Sequence, residues 1–241
     1  MILREIDTRV VPRHQIAALA SISRRQSPSR ITERSLCYSA LVPRPRVHDL
    51  GHVLDVAERL AVEEGIAAVT IRALSDSTTM SNGALYHAFG SRGGLLGRAW
   101  LRAAEEFLAL QRDAVDQVLA AGSPATDAVV AAALCPATFL DHDATSARFL
   151  LTVSRDELLR TGDLPDDVAG ALRRLDDALV DLFIRLARAL WDRGDARAVA
   201  LVRTCVVELP TALLLRADPT DPAARDRLAA AVRAVLTIPP A

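Results

Sequence analysis

Between Thr78 and Arg92 the chain reads TTMSNGALYHAFGSR, a stretch whose side chains carry surface chemistry. Asn82 offers an amide donor and acceptor side by side, Tyr86 a hydroxyl, His87 an imidazole and Arg92 a guanidinium. Gly83 and Ala84 lie among them and let a large object come close to the backbone. Leu85 and Phe89 fall at i and i+4, one face of a helix, which turns Asn82, Gly83, Ala84, Tyr86 and His87 towards solvent. Ser81 is placed to cap that helix, whose first turn carries free N–H groups and a positive dipole end suited to a phosphate. An amide pair fits adenine N6 and N7, Ala84 fits a thymine methyl, and Tyr86 and Arg92 suit phosphates. The residue types and their spacing match the groove of duplex DNA.

The elements that must position these groups are legible on both sides. Leu50, Val53, Leu54, Ala57, Leu60 and Ala61 form one helical stripe, Asp55, Glu58, Glu63 and Glu64 lie off it, and Gly65 is a suitable stop. Thr70 caps a short second helix carrying Ile71 and Leu74 inward. A turn over 77–80 leads into the third helix, which Gly90 ends, and Ser91 caps a long fourth helix from Arg92 to about Ala121. Short helices joined by a tight turn make a helix-turn-helix unit.

Charge supports a local rather than a global interaction with DNA. The net charge is −1 over 241 residues, so bulk charge attracts no polyanion. Over residues 70–98, however, Arg72, Arg92 and Arg98 outweigh Asp76. All 29 basic residues are Arg, and nine lie in residues 1–47 against three acids. That segment, with clusters SRRQSPSR and LVPRPRV, has no sustained period and reads as a disordered extension, or as sequence upstream of a start at Val47.

Here a resemblance becomes specific. The run from Val53 to Trp100 resembles the DNA-binding domain of the tetracycline-repressor family of bacterial transcription regulators. It is carried by L54-x-x-A57-x-x-L60, G65, V69-T70-I71-R72, S81-N82-G83-A84-L85-Y86-H87-A88-F89 and S91-R92-G93-G94-L95-L96. The resemblance implies an all-α chain, with an N-terminal three-helix helix-turn-helix domain followed by a helical ligand-binding and dimerisation domain. The division is 48–98 and 99–241. It also implies Thr70, Tyr86 and Arg92 as phosphate contacts, with Asn82, Gly83 and Ala84 near the bases. The DNA-binding set is thus Thr70, Arg72, Ser81, Asn82, Gly83, Ala84, Tyr86, His87 and Arg92. Two features depart from the family. Thr79 stands where Gly is usual, at a cost of about 1 kcal/mol if the backbone there has positive φ. Ser75-Asp76-Ser77 replaces an Ala-rich stretch.

Residues 99–241 read as further helices with breaks at Gly122-Ser123-Pro124, at HD, at GDLP, at Gly194 and at DPTDP. The stretch Ala198 to Val207 is apolar on nearly all sides, so one face suits its own domain and the other a partner subunit. Leu201, Val202 and Cys205, with Leu228, Val232 and Val235 on the final helix, form the expected homodimer interface. Val202→Asp is the change expected to give a monomer. Pro210 is expected to kink the segment. A ligand pocket is expected among Phe107, Cys135, Phe139, His142, Phe149, Phe183 and Trp191, for a small apolar or amphipathic effector.

Three widely spaced cysteines make neither a disulfide framework nor a CxxC site. The strongly apolar run from Ala128 to Leu140 is too short for a bilayer, and adjacent Asp141, His142 and Asp143 cannot all face one ion on a helix. A cytoplasmic, ligand-responsive regulator is expected, its partners an operator duplex and a second copy, with no cofactor, metal or membrane. The alternatives are a helical small-molecule-binding protein or enzyme, for which no Ser/His/Asp set or phosphate loop speaks, and a relative that dimerises without binding DNA.

Overall fold

The computed structural model describes residues 50–160, 163–216 and 219–241. The expected extension over 1–47, and Cys37 with it, lies outside them. The helices are α1 (Leu50–Glu63), a 3-10 turn (Ile66–Ala68), α2 (Ile71–Ser77), α3 (Asn82–Phe89), α4 (Arg92–Ala120) and α5 (Ala125–His142). They continue with α6 (Ala144–Thr152), α7 (Arg155–Arg160), α8 (Asp166–Trp191), α9 (Ala196–Arg203) and α10 (Pro222–Leu236). No strand occurs among the described residues.

Side-chain caps set the boundaries near the helix-turn-helix. Thr70 Oγ1 accepts from Ala73 N at 3.1 Å, Ser81 Oγ from Ala84 N at 3.3 Å and Ser91 Oγ from Gly94 N at 2.8 Å. Each satisfies a helix N–H that has no partner within the helix, an effect of about 1 kcal/mol per cap. Asp143, Asp195 and Asp221 cap α6, α9 and α10 in the same way.

Two regions differ from the periodicity. A single helix over 144–159 is expected, but Val153 and Ser154 interrupt it. Trp100 Nε1 donates to the Val153 carbonyl at 3.1 Å, and Ser154 Oγ accepts from Glu157 N at 3.4 Å to start α7. After α9, the chain continues through π turns at Thr204–Glu208 and Thr211–Leu215, on either side of Pro210. Proline supplies no N–H, and widening the turns absorbs the missing rung where a kink is expected. Ala196–Leu215 is long and apolar enough to cross a bilayer by length and composition, a longer span than the 128–140 run. Here it lays Ala198, Val202, Cys205, Val206, Val207 and Leu214 into the core.

Two buried clusters result. The first runs from Val53 and Leu74 through Leu85, Phe89 and Trp100 to Phe149 and Leu172, so the core under α1–α3 continues along α4 into α6 and α8. The second gathers α4, α5, α8, α9, the π turns and α10 around Phe183, Leu186, Val206 and Leu228.

Candidate nucleic-acid interface

The α2–α3 turn is held by side chains. Thr78 Oγ1 donates to Leu74 O at 2.7 Å and accepts from Met80 N at 3.3 Å, while Ser75 Oγ donates to Met80 O at 2.9 Å. Asp192 is the one non-glycine residue with positive φ among those described. Thr79 therefore carries no left-handed strain, and the cost expected there does not arise. The hydroxyls of Ser75 and Thr78 hold the turn that a glycine would allow by conformation.

With Leu85 and Phe89 buried, α3 leaves Asn82, Gly83 and His87 exposed and Ala84 half-buried, and Tyr86 stands out at 55% exposure. A Cβ at Gly83 would meet nothing within 4 Å, so the surface above it is open. Thr70 and Ser81 are exposed caps whose hydroxyls remain able to donate outward. Arg72 is also exposed, with Asp76 3.9 Å away on the next turn of α2. So loose an exposed pair leaves the guanidinium available at little cost.

Arg92 differs from its companions. Its Nε donates to Val69 O at 2.5 Å and its Nη2 to Ile66 O. The guanidinium thus ties the start of α4 to the link between α1 and α2. Two of its five N–H donors are thus spent on the fold, so Arg92 has a structural task beside the phosphate contact expected of it.

The start of α4 is seated on a second support. A Cβ at Gly93 would lie 2.8 Å from Asp163 O, and one at Gly97 would lie 2.5 Å from Leu164 Cδ2. At Gly93 the clash is with backbone, which only glycine avoids, whereas at Gly97 the Leu164 and Val168 side chains would have to shift. Ser91 Oγ donates to Asp163 O at 2.7 Å, and Gly93 N donates to Asp163 Oδ2 at 3.2 Å, which places a carboxylate at the positive end of α4. A small cleft lies along this seam, lined by Ile66, Arg92, Leu96, Glu157, Leu158 and Asp163.

Glu58 is the buried polar group that periodicity missed. It lies off the apolar stripe of α1, yet is 1% exposed. Arg102 Nη2 donates to its Oε1 at 2.6 Å and reaches Asp55 at 2.7 Å. Ser146 Oγ lies 2.6 Å from Glu58 Oε2 and 2.9 Å from Asp143 Oδ2. Burial pushes the Glu58 carboxyl up despite the bonds from Ser146 and Arg102. For Asp143, burial is outweighed by the N–H groups of Ser146 and Thr145, which hold it below its ordinary value. Burial opposes the Arg102 charge, but Glu58 and Asp55 more than restore it. One hydroxyl hydrogen cannot serve two carboxylates, so Glu58 is the group that takes a proton first. The network joins α1, α4 and α6.

Comparison with known proteins fits this geometry. Residues 53–99 match the family model for bacterial regulatory proteins of the tetR family. The chain carries a tetR-family helix-turn-helix domain. The crystal structure of the TetR family transcriptional regulator PfmR from Thermus thermophilus is similar, with TM-score 0.57 and 18% identity over 77% of this chain and 97% of that one. A bacterial regulatory protein of the tetR family from Rhodococcus RHA1 aligns with TM-score 0.57 and 20% identity, covering 80% and 98%. The multidrug binding protein EbrR complexed with imidazole gives 0.54 and 20%, covering 79% and 96%. No curated protein matches the chain by sequence.

Beyond the tetR-family domain, the residues expected to form a pocket do not converge. Phe107, Cys135, Phe139 and Phe149 belong to the first cluster, with Phe107 and Phe139 edge to face at 5.6 Å, whereas Phe183 is buried in the second. Trp191 packs half-buried on that second cluster and His142 is exposed. Burial pushes the Cys135 thiol up to about 12, so it behaves as a small apolar group. Asp141 takes a two-pronged bond from Arg225 at 2.6 and 2.8 Å while Asp143 caps α6, which gives that acidic pair separate structural tasks. The expected interface also needs correction. Val202, Cys205, Leu228 and Val232 are each 0% exposed inside the chain's own core and cannot face a partner. Leu201 and Val235 remain half-buried.

Proposed function

We propose that this chain is a ligand-responsive transcriptional regulator that binds a palindromic operator as a homodimer and acts as a repressor. The observation that carries the reading is the open first turn of α3. Asn82 and Gly83 are exposed beside Tyr86 and His87, on a helix whose inner face is locked by Leu85 and Phe89. In this reading Asn82 pairs with adenine, Gly83 and Ala84 admit the groove edge, and Thr70, Arg72, Ser81, Tyr86 and His87 hold the backbone. Residues 48–98 bind DNA, and residues 99–241 receive the effector and the second copy.

Two recognition helices on a twofold axis reach successive major grooves only at one spacing, so an effector that alters the spacing releases DNA. The outer face of Ala196–Leu215 that carries Leu201, together with Val235 on α10, both half-buried, is the surface offered to the second copy. Selection of bound fragments from a random DNA pool tests the reading. One enriched palindrome supports it, and no enrichment over flow-through overturns it.

A further inference from the structure

α5 contains Pro136, which has no N–H, so the carbonyl of Ala132 four residues earlier lacks its helical partner. Gln111 on α4 fills that gap, its Nε2 donating to Ala132 O at 3.0 Å. Only the amide NH2 can face a carbonyl, which settles the orientation of the side chain. Its other end, Oε1, is buried and has no hydrogen-bond partner, and the residue as a whole is 0% exposed. Mending the proline gap needs a donor alone. The acceptor is surplus to that task and costly to leave unpaired.

We infer that Gln111 Oε1 is the polar reader of an effector site between α4 and α5, which takes a neutral, mainly apolar molecule bearing one O–H or N–H donor. This rests on the reading of the chain as ligand-responsive and names the ligand's chemistry. Flanking Gln111 on α4 are Phe107, Leu108 and Val115, and flanking Ala132 on α5 are Ala128, Val129 and Cys135, all buried. These flanking residues are all uncharged, and Glu105, Glu106, Asp113 and Asp116 of α4 are exposed on its outer side, so a neutral molecule is favoured. The ligand donates to Oε1 while Nε2 keeps Ala132.

The test uses the full chain without DNA and three matched pairs as probes: 4-tert-butylphenol with 4-tert-butylanisole, indole with 1-methylindole, and cyclohexanol with methoxycyclohexane. In at least one pair the donor-bearing member should bind about tenfold tighter by calorimetry, since a buried acceptor discriminates against a ligand that leaves it unpaired. Gln111→Met should bring that pair to within about twofold. Should Gln111→Met melt early, Gln111→Met with Pro136→Ala returns an N–H to Ala132 O and serves instead. Equal binding within every pair, discrimination that survives loss of Gln111, or no binding by any probe overturns the proposal. A chain that discriminates the probes but enriches no palindrome keeps this site and loses the regulator reading.

Discussion

Arg102 on α4 and Glu58 on α1 are joined Nη2 to Oε1 at 2.6 Å, and the carboxylate end is almost wholly out of water. The pair links the helix that precedes the helix-turn-helix to the helix that leaves it, and Ser146 brings in α6. Holding both ends, these groups leave α1 and α4 little freedom to slide past one another.

Burial raises the Glu58 pKa above its ordinary 4.5. The folded chain therefore keeps a proton that the unfolded chain has released, and the associated stability is complete below 4.5 and lost as pH rises through the folded value. The lowered Asp141, Asp143 and Asp195 act in the opposite sense at more acid pH. Subtracting Glu58→Gln isolates the first effect. The stability of the wild type relative to that variant should grow as pH falls through the raised folded value towards 4.5, measured by urea melts at each pH.

Asn82→Ala should relax preference at one base pair per half-site, costing about 1–3 kcal/mol on the preferred sequence. Tyr86→Phe should weaken all sequences alike. Titrating preferred and scrambled duplexes at several salt concentrations separates these outcomes. If Asn82→Ala weakens both duplexes equally, base reading by Asn82 is wrong.

Arg92→Ala should lower thermal stability without DNA, because it frees the carbonyls of Ile66 and Val69. Hydrogen bonds from a charged donor are worth about 1.5–3 kcal/mol each. A melting curve unchanged from the wild type would leave Arg92 the phosphate role alone.

Thr79→Gly should destabilise by about 0.4–1 kcal/mol, through greater freedom of the unfolded chain. The reverse sign would show that the turn carries strain after all.

Leu201→Asp should yield a folded monomer with unchanged helical circular dichroism, because the side chain is half-buried. Val202→Asp should instead lose the fold, since an unpaired charge in the second cluster has no route to water. Sedimentation and circular dichroism on both variants check the contrast.

The helix-turn-helix was legible because its information is local. Apolar positions at helical spacing, the caps Thr70, Ser81 and Ser91, and the stop at Gly90 all act within one or two turns. What was not legible depends on partners distant in sequence. Glu58 lies off the apolar stripe of its helix, and only Arg102 and Ser146 explain its burial, as Ala132 explains that of Gln111. The apolar stretch Ala198 to Val207 announced two covered faces, but not that Val202 belongs to the inner one. The aromatic residues beyond 100 were grouped by size, a property that does not say which of two cores each one enters.

α4 is 29 residues long, which at about 1.5 Å per residue makes a rod of roughly 43 Å. Its first turn is bolted by Arg92 to the α1–α2 link, and Gln111 sits some nineteen residues further along it, about 28 Å away. The rod is therefore a lever. A tilt of about 5° about one end displaces the other by nearly 4 Å, slightly more than the roughly 3.4 Å between successive base pairs along a strand. In the regulator proposed above, an angular error too small to disturb the packing of a core is enough, at the tip, to miscount the DNA by one letter.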